Sequence, residues 1–250
     1  MSSGYLLVNK PKDWTSFDVV KKIRNILKIK KIGHIGTLDP FATGLLVILI
    51  DKATKYCQYL MGLEKEYEVV SKYGISTDTG DITGIAMNEN TPNLITRLDF
   101  EKIIPEILKI NKQIPSKFSA IKINGKKAYK LARAGEEFDI PEREIEIKEF
   151  ELTEFDFPVF KWRAVVSKGT YIRTLTEQIA DLHQNIAVTT DLVRTRIGEF
   201  HLKNSVNITD IKEDTPLCSI DDLIKMIPLA ISTPSVLKHR HPTHRGKQKE

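Results

Sequence analysis

The sequence contains few cysteines and no long hydrophobic run, and these two shortages exclude several classes of protein. Cys57 and Cys218 are its only cysteines. Neither has a second Cys or His at metal-ligand spacing, so we expect reduced thiols rather than a disulfide or a zinc site. No apolar segment approaches the length that crosses a bilayer, and the N-terminus lacks the cationic and apolar parts of a signal peptide. We therefore expect a soluble, cytoplasmic protein without membrane attachment.

The charge is modest in sum but uneven along the chain. The 250 residues carry a net charge of +5 and are 41% hydrophobic, which suits one large globular domain or two small ones. Lysine and arginine are concentrated at residues 21–24, 28–31, 122–133 and 238–249. Any one cluster could be an ordinary solvated surface. Together the clusters indicate a polyanionic partner such as nucleic acid.

A glycine-punctuated loop at residues 33–44 is the most distinctive local feature. It lies between a basic amphipathic helix that begins after Thr15 and an apolar run at residues 45–50. Its three glycines permit unusual backbone angles and close approaches, while Pro40 fixes its own φ and biases Asp39 towards an extended conformation. We interpret the loop as a rigid frame that orients the Asp39 carboxylate. The alternative is a turn whose aspartate satisfies local backbone amides.

Alternation and helical spacing predict the remaining elements of the fold. Strands are predicted at residues 5–8, 45–50, 66–75, 144–152, 160–167 and 191–198, and helices at 16–28, 53–61, 99–110 and from 172 onward. The run at 45–50 reads as a strand buried on both faces. The strand at 191–198 is expected to point its cations outward.

Three further segments bear on ligands. Residues 114–141 are basic and contain a hairpin signal at Asn124-Gly125, so a mobile flap and a plain surface excursion are equally favoured. Residues 167–173 predict the end of a strand, a glycine turn and a helix N-terminus, which is a geometry that binds anions. The spacing of a Walker P-loop is absent, so we reject nucleotide hydrolysis. Residues 77–84 and 239–245 contain acidic and histidine clusters, for which turn capping and a disordered basic tail are preferred over metal binding.

The chain resembles the TruB family of tRNA pseudouridine synthases. The loop motif at residues 33–44 is supported by four further blocks in matching order, at residues 65–67, 77–81, 119–129 and 167–175. The similarity covers residues 4–200, and an ordered set of five blocks is far more specific than any one of them. Ser116 and Phe118 depart from the family pattern, which usually has Pro and Tyr there.

The resemblance implies an α+β pseudouridine synthase fold, with a long, mainly antiparallel mixed sheet, flanking helices and a central active-site cleft. It implies a catalytic domain at residues 1–212, with a thumb-like RNA-binding insertion at about 114–141. Residues 213–250 are then a short extension with a basic tail and without a full PUA domain. The implied reaction is isomerisation of the T-loop uridine at tRNA position 55, with the T-arm stem-loop as partner. No cofactor, metal or obligate protein partner is expected.

The resemblance also assigns residues to roles. Asp39 is the implied essential carboxylate, acting on the ribose, on the base or as a base at C2′, and the sequence does not choose among these. A carboxylate withdrawn from water needs a cation nearby, and Arg173 matches that partner. Tyr171 is implied as a third catalytic residue, and Tyr67 and Leu192 as the stacking residue and the apolar wall for a flipped base. Contacts to RNA are predicted for His34, Lys10, Lys122, Lys168 and Arg194.

Two other classes of function fit parts of the sequence. A non-catalytic RNA-binding or tRNA-folding module needs only the cations and aromatics. It gains nothing from a buried acid, so the combination of Asp39, Tyr67 and Arg173 favours the enzyme. A DNA-binding protein is less favoured because no recognition helix or dimer signal is evident.

Overall fold

A nine-stranded mixed sheet dominates the structure, a computed structural model that describes residues 3–119 and 121–227. Its strands are β1 (Gly4–Lys10), β2 (Ile32–Ile35), β3 (Thr43–Ile50), β4 (Lys65–Tyr73), β11 (Ile147–Asp156), β12 (Val159–Val166), β13 (Ala187–Ile197), β14 (Phe200–His201) and β15 (Val206–Asn207).

Six short strands form three separate two-stranded pairs. They are β5 (Ile75–Thr77) with β6 (Ala86–Glu89), β7 (Lys112–Gln113) with β10 (Arg143–Glu144), and β8 (Lys122–Ile123) with β9 (Lys126–Lys127). The α-helices are α1 (Ser16–Leu27), α2 (Cys57–Leu60), α3 (Arg97–Lys102), α4 (Ile104–Ile107), α5 (Ala128–Arg133), α6 (Ile172–Leu182) and α7 (Ile220–Lys225). Short 3₁₀ helices lie at Asp51–Tyr56, Leu202–Asn204 and Ile208–Asp210.

The large sheet runs in the order β11-β12-β4-β13-β3-β1-β15, with β2 and β14 pairing at its sides. Two of the pairings, β13 with β3 and β1 with β15, are parallel, and the others are antiparallel. The predicted mainly antiparallel mixed sheet is confirmed. Strand β13 occupies its centre, beside β3, whose N-terminal end follows directly from the loop that carries Asp39.

The strand β3 is buried on both faces, as the apolar run predicted. On one face Leu46, Ile48 and Ile50 pack against Val19 and Ile23 of α1. The other face packs against the helical segment at residues 51–63 and against α7. Helix α1 begins where predicted, because the Thr15 side chain accepts a hydrogen bond from the Asp18 amide and Asp18 reciprocates in a capping box.

The second core lies under β4, β12 and α6. The paired strands β11 and β12 are confirmed, and the predicted inward residues of β12, from Phe160 to Val166, are buried. Tyr67, Val69, Ser71 and Tyr73 alternate inward on β4, as expected. The helix predicted from Asp99 begins instead at Arg97, with Thr96 as its N-cap residue, and it breaks into α3 and α4 before Pro105.

The segment at residues 114–141 is built from the hairpin β8-β9 and helix α5. Asn124 and Gly125 both have positive φ, of 48° and 85°, which is the two-residue hairpin turn that the sequence predicted. Beyond residue 212, helix α7 packs against β1 with Leu223 fully buried. The predicted disordered basic tail lies outside the described residues. Among the residues described, no helix is long and apolar enough to cross a membrane.

Candidate active site

The loop before β3 is held by side chains that bind its backbone. The Ser16 hydroxyl accepts from the Leu38 amide at 2.9 Å and donates to the Leu38 carbonyl at 3.3 Å. Lys10 Nζ donates to the carbonyls of Pro11, Trp14 and Pro40 at 2.8, 2.7 and 3.1 Å. The residues on either side of Asp39 are therefore held in place by hydrogen bonds to their backbone, which agrees with the predicted rigid frame.

Lys10 and Arg194 are both buried and hold the loop. Lys10 is 0% exposed and Arg194 is 1% exposed. Arg194 donates from Nε to the Leu45 carbonyl at 2.9 Å and from Nη2 to the Gly36 carbonyl at 3.0 Å. The expectation that Arg194 points outward is wrong, because its guanidinium is turned to the loop backbone. Contact of Lys10 and Arg194 with RNA stays a prediction. Burial lowers the pKa of Lys10 to about 8.

Gly44 allows the loop to enter the sheet beside Arg194. Its φ is 103°, and a Cβ there would lie 2.4 Å from the Arg194 carbonyl oxygen. We predict that Gly44→Ala lowers the free energy of unfolding by about 3 kcal/mol or more, since both the backbone angle and the contact are then strained. Among the residues that the structure describes, none apart from its chain neighbours comes within 4 Å of a Cβ placed on Gly33, whose φ lies outside the positive region. Gly33→Ala is therefore the matched control, and equal losses in urea unfolding would contradict the explanation.

Asp39 and Arg173 form a two-point ion pair. Arg173 Nε lies 2.9 Å from Asp39 Oδ2, and Nη2 donates to Asp39 Oδ1 at 3.2 Å. The arginine side chain is 4% exposed, whereas that of Asp39 is 36% exposed. The guanidinium is thus buried beneath a carboxylate that still reaches the solvent. A planar, bidentate pair of this kind fixes orientation as well as charge.

Asp81 is a second acid on the same arginine, which the sequence did not reveal. Its Oδ2 lies 3.6 Å from Arg173 Nη1, and its Oδ1 accepts from the Thr83 amide and hydroxyl at 3.0 and 2.5 Å. Arg173 also donates to the carbonyls of Thr79 and Phe118. The predicted turn capping by this segment is present, and the same aspartate braces Arg173 from the side away from Asp39.

A cleft of about 400 Å³ opens above Asp39. Tyr67 of β4 and Leu192 of β13 form part of its wall, and both are at least nine-tenths buried. Ser119 and Tyr171 also line it. Ser119 is buried, and its hydroxyl lies close enough to the Tyr171 phenol to work against the rise in the pKa of that phenol that burial causes. The volume is in the range of small-molecule sites.

The other predicted site residues differ in their exposure to solvent. Tyr171 lines it at the N-terminal boundary of α6, and burial raises the pKa of its phenol. Lys122 and Lys168 are exposed, as an RNA contact requires. His34 lies on β2 and is partly buried, and burial lowers its pKa. The roles of these residues stay predictions.

Lys65 is a buried cation in the cleft wall that sequence reasoning missed. Its Nζ donates to the carbonyls of Met61 and Leu63, and burial lowers its pKa to about 8. The motif block that contains it was recognised, but nothing in the residue type indicated burial.

The depressed pKa of Lys65 predicts that stability rises with pH. Between pH 8 and its ordinary value of 10.5, the folded protein has released a proton that the unfolded chain keeps. The free energy of unfolding should then gain about 1.4 kcal/mol per pH unit for this lysine. Denaturant titrations at several values from pH 8 to 9.5 give the free energy of unfolding at each pH. Its rise per pH unit should be smaller in Lys65→Met than in the wild type. Lys10 contributes in the same window, and identical slopes in the variant and the wild type would refute the assignment.

Comparison with known proteins identifies the family. Residues 24–172 match the family described as TruB family pseudouridylate synthase (N terminal domain). The chain belongs to the TruB family. The resemblance read from its motifs is confirmed, and membership makes the chain a pseudouridine synthase, which is an isomerase. Nothing in these comparisons favours the non-catalytic alternative.

The relatives cover most of the chain. A protein of Bacillus cereus named tRNA pseudouridine synthase B is 40% identical over 236 residues, which are 92% of this chain and 77% of that protein. A protein of the same name from Geobacillus thermodenitrificans is 38% identical over 235 residues, 91% of this chain and 78% of its own length. The TruB similarity thus extends beyond the matched domain.

Solved structures support the fold. The chain aligns with one from a Cbf5-Nop10-Gar1 complex at 26% identity and a TM-score of 0.65, covering 83% of this chain and 53% of that one. It aligns with one from an H/ACA RNP bound to a substrate RNA containing 2′-deoxyuridine at 24% identity and a TM-score of 0.61, covering 83% and 51%. The TruB chain described here therefore spans about half the length of those chains. Among its described residues, no group of three or more His, Cys, Asp or Glu is placed to hold a metal.

Proposed function

We propose that this TruB-family chain isomerises the T-loop uridine at position 55 of tRNA. The observation that carries the proposal is the bidentate pair of Asp39 and Arg173 at the floor of a cleft of about 400 Å³. A partly exposed carboxylate backed by a buried guanidinium is suited to act on a substrate that enters from the solvent. The alternative of a non-catalytic RNA module gives this pair no purpose.

The reaction needs no added atom and no cofactor. The bond between the ribose C1′ and the uracil N1 breaks, the base rotates, and a bond forms between C1′ and C5. The proton on C5 leaves and N1 gains one, so the product has the composition of the substrate. Asp39 either forms a transient covalent bond or takes a proton from C2′, and a carboxylate is competent for both. Arg173 holds the carboxylate in a fixed direction during these steps.

The uridine must leave the RNA stack to reach Asp39. Enzymes that act on a base generally flip it into a pocket, at a cost of a few kcal/mol. Tyr67 in the cleft wall supplies an aromatic ring for stacking, which contributes about 1 to 3 kcal/mol per base. Leu192 provides the apolar wall, and Tyr171 faces the base or supports Arg173. His34 enters the RNA loop at the place the flipped base has left.

The grip on the RNA comes from the surface beside the cleft. We assign residues 1–212 to the catalytic domain, residues 114–141 to an RNA-binding thumb, and residues 213–250 to a short extension. The exposed Lys122 on the thumb and Lys168 at the cleft rim contact phosphates of the T-arm. No obligate protein partner is required in this assignment.

Binding should fall steeply with salt, because phosphate contacts release counterions. The logarithm of the RNA association constant falls with the logarithm of the salt concentration. Neutralising one lysine that contacts a phosphate should make this slope less steep by about 1. Lys122→Gln and Lys168→Gln should each show this reduction in filter-binding assays with a T-arm hairpin. Lys102→Gln is the matched control, since Lys102 is exposed and pairs with Asp99 on α3. A slope that is flat, or unchanged in all three variants, would refute the phosphate contacts.

Position specificity tests the function itself. The wild-type protein is incubated with a T-arm hairpin, with the same hairpin carrying cytidine at position 55, and with an anticodon-arm hairpin. Tritium released from C5-labelled uridine reports turnover. We expect release from the first RNA only. Equal release from the anticodon arm would overturn the assignment to position 55, and no release from any RNA would overturn the proposed reaction.

A further inference from the structure

The thumb at residues 114–141 is rooted in a two-stranded pair that lies beside the cleft. Strand β7 ends at Gln113, directly before the thumb, and β10 begins at Arg143, just after it. The two residues are direct partners in the antiparallel pairing. The thumb is therefore joined to the rest of the fold through Gln113 at one end and Arg143 near the other.

Gln113 holds the backbone of Tyr171 at two points. Its Oε1 accepts from the Tyr171 amide at 2.9 Å, and its Nε2 donates to the Tyr171 carbonyl at 3.2 Å. The same Nε2 donates to Gln178 Oε1 at 3.0 Å, which fixes the amide in this orientation. Gln113 is 1% exposed, so these bonds are protected from water. Tyr171 is the N-cap residue of α6, and Gln113 binds its backbone amide and carbonyl.

Arg143 holds the side chain of Tyr171 and the turn before it. Its guanidinium carbon lies 5.3 Å from the centre of the tyrosine ring, a cation–π distance. Its Nη1 donates to the Gly169 carbonyl at 3.2 Å. Burial raises the pKa of the Tyr171 phenol, and the positive charge of Arg143 works against that rise. Tyr171 is thus held by both residues: Gln113 binds its backbone and Arg143 contacts its ring.

The start of the thumb reaches the same site by a second route. The Phe118 carbonyl accepts from Arg173 Nη2 at 3.3 Å, and Ser119 lines the cleft. The thumb and its root together therefore touch Tyr171, which precedes α6, and Arg173, which lies in α6. Both residues are proposed to act at the reacting base. Outside these contacts it carries exposed cations, including Lys122 and Lys126, that suit an RNA surface.

We propose that Gln113 and Arg143 are positioning residues that tie the root of the thumb to Tyr171, so that seating of the thumb on RNA sets the tyrosine ring in the cleft. The inference rests on the proposed function, in which Tyr171 contacts the substrate base. It predicts that either residue can be changed with little effect on RNA affinity and a clear effect on the chemical step.

Gln113→Glu provides a test with a built-in rescue. A neutral carboxylic acid can accept from the Tyr171 amide and donate to its carbonyl, as glutamine does, whereas a carboxylate cannot donate. The single-turnover rate at saturating T-arm RNA should be about 10-fold below the wild type at pH 8, as for a misplaced catalytic group. The single-turnover rate of the variant, divided by that of the wild type at the same pH, should rise as the pH falls to 5.5. Gln184→Glu, at the other end of α6, is the matched control and should follow the wild type throughout.

Arg143 is tested by a double-mutant cycle. Arg143→Met should lower the single-turnover rate with a dissociation constant for RNA within about threefold of the wild type. In the Tyr171→Ala background the same substitution should have no further effect, because residues that act through one another are not additive. Additive losses would show that Arg143 acts elsewhere.

The outcomes separate the inference from the function on which it rests. An active wild type whose rate ratio to Gln113→Glu does not change with pH would overturn the inference alone. So would a loss explained by unfolding, seen as a lower melting temperature of Gln113→Glu at pH 5.5. A wild type that forms no pseudouridine would overturn the proposed function, and the inference would fall with it.

Discussion

Asp39→Asn should abolish pseudouridine formation and leave RNA binding within a few-fold of the wild type. The amide keeps the shape of the side chain and can still accept from Arg173, but it neither forms the covalent bond nor takes the proton. Loss of a positioned acid–base or nucleophilic group costs at least about 10³-fold in rate. Tritium release in single turnover measures the chemical step, and filter binding measures the affinity.

The control for this substitution is another aspartate of similar type. Asp156 is exposed at the end of the edge strand β11, so Asp156→Asn makes the same change in charge away from the cleft. It should retain the wild-type rate. Turnover by Asp39→Asn at the rate of this control would remove Asp39 from the mechanism.

Arg173→Met should lower both stability and activity. The substitution leaves Asp81, which is 5% exposed, without its cation, and an uncompensated buried charge costs about 3–5 kcal/mol. For a chain of this size the melting temperature should fall by about 10 °C. Arg173→Lys should keep more of the stability and still lose activity, because a lysine cannot form the two-point contact with Asp39.

A second change separates the two effects. Adding Asp81→Asn to Arg173→Met removes the unpaired charge, while the amide oxygen can still accept from Thr83. Thermal unfolding should show that part of the lost stability returns, and the single-turnover assay should show no return of activity. Recovery of both would mean that Arg173 serves stability alone. Recovery of neither would mean that Asp81 is not the residue left uncompensated.

Much of the fold could be predicted because its elements carry their own signals. The alternation in β4 and β12, the apolar run of β3 and the stripe of α6 each report burial directly, since side chains repeat at the period of the element. The Asn124-Gly125 turn was equally predictable, because only a few residues adopt its positive φ angles. These are local properties, which one segment of sequence can specify.

The burial of Lys10 and Arg194 could not be predicted, because burial of a cation depends on distant backbone groups. Nothing near Arg194 in sequence shows that its guanidinium meets the carbonyls of Gly36 and Leu45. Strand β13 also has register shifts between Thr189 and Asp191 and between Arg194 and Arg196. These irregularities interrupt the period of two, so the alternation that predicted outward cations does not hold along the whole strand.

The candidate site likewise contains residues that could be predicted from the sequence and residues that could not. Asp39, Tyr67, Tyr171 and Leu192 were found through their motifs, and the structure brings all four to one cleft. Gln113 lies in no motif block, and Asp81 lies in the block at residues 77–81 without a role assigned to it, because the importance of both comes from the partners they meet across the fold. Asp81 was visible as a turn residue, but the 3.6 Å approach to Arg173 joins segments that are far apart in sequence.

Chemical mapping of pseudouridine at nucleotide resolution tests the central claim most directly. A T-arm hairpin is incubated with the purified wild type or with Asp39→Asn, without added metal or nucleotide. We predict a single modified position, the T-loop uridine 55, with the wild type and none with the variant. Modification at that position by Asp39→Asn, or its absence with the wild type, would contradict the account.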